Sequence, residues 1–165
     1  MNENIFLKKY TTLFHQAQNV VAGPGDDCAV IDILNQNEFM LETVDQLVSN
    51  IHFDPSNTTP EQTAIKLIRR NISDIAAMGG YPKYALLTIS ANFAKIKNNW
   101  FQQFFKAISK EAKKWDLSVC GGDISSNLSK TTVFTLSITG FVEKEKLCMR
   151  SGAKNGDFLF ATGFF

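Results

Sequence analysis

Residues 131–142 read TTVFTLSITGFV, and this stretch decides the fold class. Phe134, Leu136 and Ile138 alternate with Thr135, Ser137 and Thr139, a period of two that predicts a strand with one apolar face. That face requires a partner, and a bare apolar edge would invite another chain. Upstream, LSVC (117–120) predicts a short strand ending at Gly121-Gly122-Asp123. Before it, Phe101, Phe104, Phe105, Ile108, Ala112 and Trp115 have helical spacing from Trp100 onward. KYALLTIS (83–90) predicts another strand.

Further upstream, Thr59, Pro60 and Gln62 form a capping-box start, and the helix they open is expected to reach Met78 and stop at Gly79-Gly80. CAVIDIL (28–34) and EFMLETVD (38–45) predict a hairpin through the turn at 35–37. Residues 4–18 carry Ile5, Phe6, Tyr10, Leu13, Phe14 and Ala17 at helical spacing, with His15 on the polar side. DFLFATG (157–163) predicts a last strand. Strands and helices mix without a strict βαβ repeat. The expected class is therefore α+β, a mixed or antiparallel sheet covered by helices on one side.

The 165 residues suit one domain, with 44% hydrophobic residues, 20% charged residues and 14 Phe. A formal net charge of +1 gives no broad field to attract nucleic acid or a membrane surface. The run Lys110 to Lys114 reads as a solvated helix face. Cys28, Cys120 and Cys148 have no CxxC spacing, which predicts reduced thiols. The N-terminus lacks the apolar core of a signal peptide, and no apolar run approaches the roughly 20 residues of a membrane helix. The expected location is the cytoplasm.

Chemistry points to the aspartates. Asp26 and Asp27 follow a rigid Gly-Pro-Gly turn, Asp45 ends the second strand, and Asp123 follows two glycines. Such placements let carboxylates converge at loop mouths, and the glycines let a phosphate or metal approach the backbone. Asp74 lies within a helix, with Asn71, on or beside its buried face. It requires either a cation or an ion pair with Arg70, four residues earlier. A shared set of carboxylates suits Mg2+, which prefers hard oxygens. Zinc would prefer Cys or His, and the only histidines are His15 and His52. No P-loop, GxGxxG, kinase signature or GxSxG elbow is present, so phosphoryl transfer here would rest on metal and positioning.

In order along the chain, GPGDDCAV (23–30), ETVDQLVSNIHF (42–53), NISDIAAMGGYP (71–82), GGDIS (121–125) and RSGAKNGDFLFATG (150–163) resemble the thiamine-monophosphate kinase family. That family belongs with the aminoimidazole ribonucleotide synthetase-like ATP-dependent enzymes. The resemblance implies Mg2+ ligands at Asp27, Thr43, Asp45, Asp74 and Asp123, nucleotide contacts at Gly122, Asp123 and Arg150, and a substrate contact at His52. It implies ATP as phosphoryl donor, thiamine monophosphate as acceptor, and a dimer with a barrel-like core. It also implies that residues 1–165 correspond to an N-terminal ATP/Mg-binding domain whose C-terminal partner domain is absent from this chain. Such a domain either takes part in the kinase reaction or only binds metal and phosphates as a dimerising module, and a sister enzyme with another substrate remains an alternative. The chain departs from the family in two places. Val44 stands where a hydroxyl residue usually precedes the aspartate, and Gly-Pro-Gly stands for Gly-Ile-Gly.

Overall fold

A computed structural model of the chain describes residues 11–34, 37–96, 98–161 and 163. The main elements are β1 (Val20–Ala22), β2 (Ala29–Asp32), β3 (Glu38–Val48), α1 (Pro60–Ala77), β4 (Tyr81–Ala91), α2 (Asn98–Lys114), β5 (Ser118–Ser126) and β6 (Val133–Glu143). The strands form one open sheet in the order β1-β2-β3-β6-β4-β5. All neighbours are antiparallel except β4 and β5, which run parallel. The class is α+β with a mixed sheet, as expected.

Both helices lie on the same face of the sheet. Leu67, Ile68, Ile72 and Ile75 of α1 and Phe104, Ile108 and Ala112 of α2 are buried in one core with Leu41, Leu47, Leu87 and Ile89. The rings of Trp100, Phe104 and Phe134 pack mutually, with centroids 5.5 Å (Trp100–Phe104), 4.5 Å (Phe104–Phe134) and 5.8 Å (Trp100–Phe134) apart. The other face carries no helix among the described residues, and Val44 and Leu86 are exposed there.

The capping box forms as the sequence indicates: Thr59 Oγ1 accepts from the Gln62 N–H, and Gln62 Oε1 accepts from the Thr59 N–H. Gly79 then takes φ +77°, and Gly80 lies so close to the sheet that a Cβ would stand 2.5 Å from Leu41 Cδ1 and 2.8 Å from the Phe141 carbonyl.

Four expectations are corrected. The strand in 131–142 is not an edge. β6 lies between β3 and β4, and Phe134, Leu136 and Ile138 are fully buried beneath the helices of the same chain, so the argument from an uncovered face to a dimer fails. The strand from LSVC does not end at the glycines but continues to Ser126, because pairing with β4 supplies its hydrogen bonds; Cys120 is the extra residue of a bulge. Only a three-residue 3-10 turn, Thr11–Leu13, stands in the described part of the expected helix at 4–18, and His15 lies beyond it; Ile5, Phe6 and Tyr10 fall outside the described residues. Residues 157–161 form no strand, since no neighbour pairs with them, and Phe158, Leu159 and Phe160 are exposed; Thr162 falls outside the described residues.

Candidate phosphate- and metal-binding site

Strand alternation places Thr43 and Asp45 on the helix-covered face of β3, where Leu41 and Leu47 are buried. α1 crosses them there. Thr43 Oγ1 donates to Asp74 Oδ2 at 3.0 Å. The fully buried Asn71, one turn before Asp74, accepts the Asp45 N–H at 2.9 Å and donates to the Leu67 carbonyl. Arg70 pairs with Asp45 at 2.7 Å rather than with Asp74. The ion pair that sequence offered as the alternative for Asp74 therefore does not form, because the cross-element neighbour takes the guanidinium.

Asp27 reaches this region from the Gly-Pro-Gly turn. Arg150 Nη2 bonds Asp27 Oδ1 at 2.5 Å, and the Arg150 N–H bonds Asp26 Oδ2 at 3.2 Å. The Arg150 side chain remains 61% exposed, and its pairing with Asp27 holds the guanidinium still more firmly protonated.

Burial pushes the Asp74 carboxyl above the usual carboxylate range. The Thr43 hydroxyl opposes the rise, whereas the nearby charges of Asp45 and Asp27 add to it. Cys28 lies among the same groups. Its burial, then the charges of Asp74, Asp27, Asp26 and Glu42, push the thiol up to about 12. Asp27, Asp45 and Asp74 thus share one negative field.

The remaining candidates fall elsewhere. Asp123 lies in β5 in register with Thr88, which faces Thr135, which faces Gln46. It is therefore three strand spacings from β3, about 14 Å, and it accepts from the Ser125 hydroxyl. Among the described residues no three His, Cys, Asp or Glu side chains are gathered as a ready cation site. Gly122 is fitted against β4, where a Cβ would stand 1.7 Å from the Leu87 carbonyl, which gives this glycine a packing role whatever it binds. His52 Nδ1 accepts the Val48 N–H at 2.9 Å, so the imidazole proton sits on Nε2, away from that bond. Val44 faces away from Asp74, so the missing hydroxyl at 44 removes no oxygen from the Thr43–Asp74 contact.

Sequence reasoning missed Arg70 as the partner of Asp45, and it missed Cys28. The position of Asn71, three residues before Asp74 in the apolar stripe, was the available signal for its role.

An open mixed sheet backed by two helices, with carboxylates converging where β3 meets α1, matches a known class of domain. The chain belongs to the family described as AIR synthase related protein, N-terminal domain, whose model matches residues 25–142. Within that class, it is similar to thiamine-monophosphate kinases. The one from Buchnera aphidicola subsp. Schizaphis graminum is 38% identical over 146 residues, 88% of this chain and 43% of the relative. The one from Bacillus subtilis (strain 168) is 34% identical over 152 residues, 92% of this chain and 45% of the relative. A solved structure described as AaThiL complexed with AMPPCP and TMP superposes with a TM-score of 0.75 at 26% identity, covering 92% of this chain and 44% of that one. The chain thus spans less than half the length of these relatives.

Proposed function

We propose that this chain is the metal- and nucleotide-phosphate-binding part of a thiamine-monophosphate kinase. An oxygen of the thiamine monophosphate phosphate attacks the γ-phosphorus of ATP, the bond from that phosphorus to the bridging oxygen breaks, and ADP leaves with the electron pair. The acceptor is already an anion, so no strong general base is needed. The reading is carried by the meeting of Thr43 and Asp74 within the shared field of Asp45 and Asp27. It is supported by the relatives' names and by the ligands of the similar structure.

The donor set fits a hard divalent cation, because it consists of carboxylate and hydroxyl oxygens whose mutual repulsion a cation would relieve. Asp27, Thr43, Asp45 and Asp74 would hold Mg2+, and Asp123, three strand spacings away in β5, would hold a further ion along the nucleotide phosphates. Bound Mg2+ supplies positive charge against the phosphates of both substrates. Arg150, held by both oxygens of Asp27 and by the Gly25 carbonyl yet open to solvent, would turn from Asp27 to a nucleotide phosphate. Gly122 and Asp123 would lie along the nucleotide phosphates, and His52 would offer its Nε2–H to the acceptor. In this reading residues 1–165 are the N-terminal ATP/Mg-binding domain, and a second domain completes the substrate pocket.

The protein would be cytoplasmic, with no nucleic-acid or membrane partner; among the described residues no helix is long and apolar enough to cross a membrane. It would form a homodimer through the uncovered sheet face, where Val44, Tyr84 and Leu86 are exposed, giving the barrel-like core. Light scattering at micromolar concentration is expected to give the dimer mass, and a stable monomer would refute this part.

The decisive assay supplies ATP, Mg2+ and thiamine monophosphate and follows thiamine diphosphate by chromatography, using the protein that contains this chain. Turnover is expected to stop with chelator and to fall by about a hundredfold or more in Asp74→Asn. Normal turnover by Asp74→Asn would overturn the metal role. Binding of Mg2+ and an ATP analogue without turnover would leave a binding module in place of the kinase.

A further inference from the structure

We propose that a second site, remote from the acidic cluster, binds a small planar aromatic anion. It is the cleft where the β3–α1, β4–α2 and β5–β6 connections meet at one end of the sheet, with a volume near 540 Å³. That is within the range of small-molecule pockets. Asp74 lies fourteen residues along α1 from Pro60, which lines the cleft, a rise of about 21 Å.

The walls have two chemistries. Phe53, Pro60, Ile96 and Trp100 form an apolar floor. Trp100 packs against both Phe104 and Phe134, so its ring is held rigidly from behind while remaining partly open to the cleft. A ring braced in this way offers a stacking surface at little further entropic cost. Lys95 and Lys130 stand at the rim, both exposed, and no acidic residue lines the cleft. Among the described residues neither lysine has a carboxylate partner. The first residues of α1 and α2 also line the cleft, and helix N-termini carry partial positive charge. The side-chain amide of Gln103 adds a neutral polar group. An apolar aromatic floor under an unopposed positive rim selects a ligand with a flat ring and an anionic group. A plain anion would forgo the floor, and a neutral ring would forgo the rim.

The test is calorimetry on the 165-residue chain, in chelator so that the acidic cluster holds no metal. The probe is 1-naphthyl phosphate, compared with inorganic phosphate and 1-naphthol. The expected result is one site per chain, filled at least about tenfold more tightly by 1-naphthyl phosphate than by either comparison compound. Lys95→Gln combined with Lys130→Gln is expected to weaken 1-naphthyl phosphate by at least about tenfold while leaving 1-naphthol unchanged. Both are surface lysines, so an unchanged urea midpoint will show that the variant folds. Three results would each overturn the proposal: no binding at millimolar probe, affinity indifferent to the two lysines, or inorganic phosphate binding as well as the aryl phosphate.

Discussion

Glu111 joins the two helices, and replacing it gives a prediction that can be worked through quantitatively. Its side chain is 1% exposed, and it accepts from Arg69 of α1 at 2.7 Å, from Lys114 at 2.6 Å and from Trp115 Nε1 at 3.4 Å. The Lys114 bond, together with those from Arg69 and Trp115, holds the carboxyl at about 2 against burial, from an ordinary 4.5. That gap corresponds to a ceiling of about 3 kcal/mol, at roughly 1.36 kcal/mol per pH unit. Arg69 and Lys114 are 57% and 51% exposed, so solvent screening brings the expected contribution to about 1–2 kcal/mol. The folded-state value is depressed, so this stabilisation is fully present above about pH 4.5 and is lost as pH falls toward about 2. Glu111→Gln is therefore expected to lower the urea midpoint at neutral pH and to lower Tm by several degrees, at about 2–4 °C per kcal/mol. The difference from wild type should narrow between about pH 4.5 and pH 3. Equal midpoints at neutral pH, or a difference that does not change on acidification, would refute the reasoning.

Gly122→Ala is expected to destabilise the protein by about 2–3 kcal/mol or to displace β5 from β4, because the added methyl would meet the Leu87 carbonyl at 1.7 Å; urea unfolding and circular dichroism test this. The three thiols should react with an aromatic disulfide reagent in two classes at mildly alkaline pH. Cys120 and Cys148 are exposed and should react fast, while Cys28, buried and held protonated up to about 12, should react only on unfolding.

The sequence made some elements readable because their determinants are local. The start of α1 rests on Thr59, Pro60 and Gln62, which lie within four residues. The hairpin of β2 and β3 and the alternation in β6 follow from side-chain period alone. The neighbours of an element are set elsewhere in the chain. Phe134, Leu136 and Ile138 show that a face is apolar but not that α1 and α2 cover it. Gly121-Gly122 has turn composition, yet β4 offered it a ladder and the strand continued. The same limit applies at the site. Spacing along α1 placed Asp74 beside the buried face, whereas its hydroxyl partner Thr43 comes from 31 residues away. The competition for Arg70 was won by Asp45, a residue on another element. The family pattern picked out Asp27, Asp45 and Asp74 from 16 acidic residues, but only folding shows that Asp123 stands apart from them.

The close seating of Gly80 on the sheet has a mechanical consequence. With hydrogen where any other residue has carbon, the end of α1 rests against Leu41 and the Phe141 carbonyl as a shaft rests against a stop. That stop fixes how far the helix extends along its axis, and Asp74, less than two turns upstream, inherits its position from it. The reach of a charged oxygen toward Thr43 is thus calibrated by a residue that offers no side chain at all.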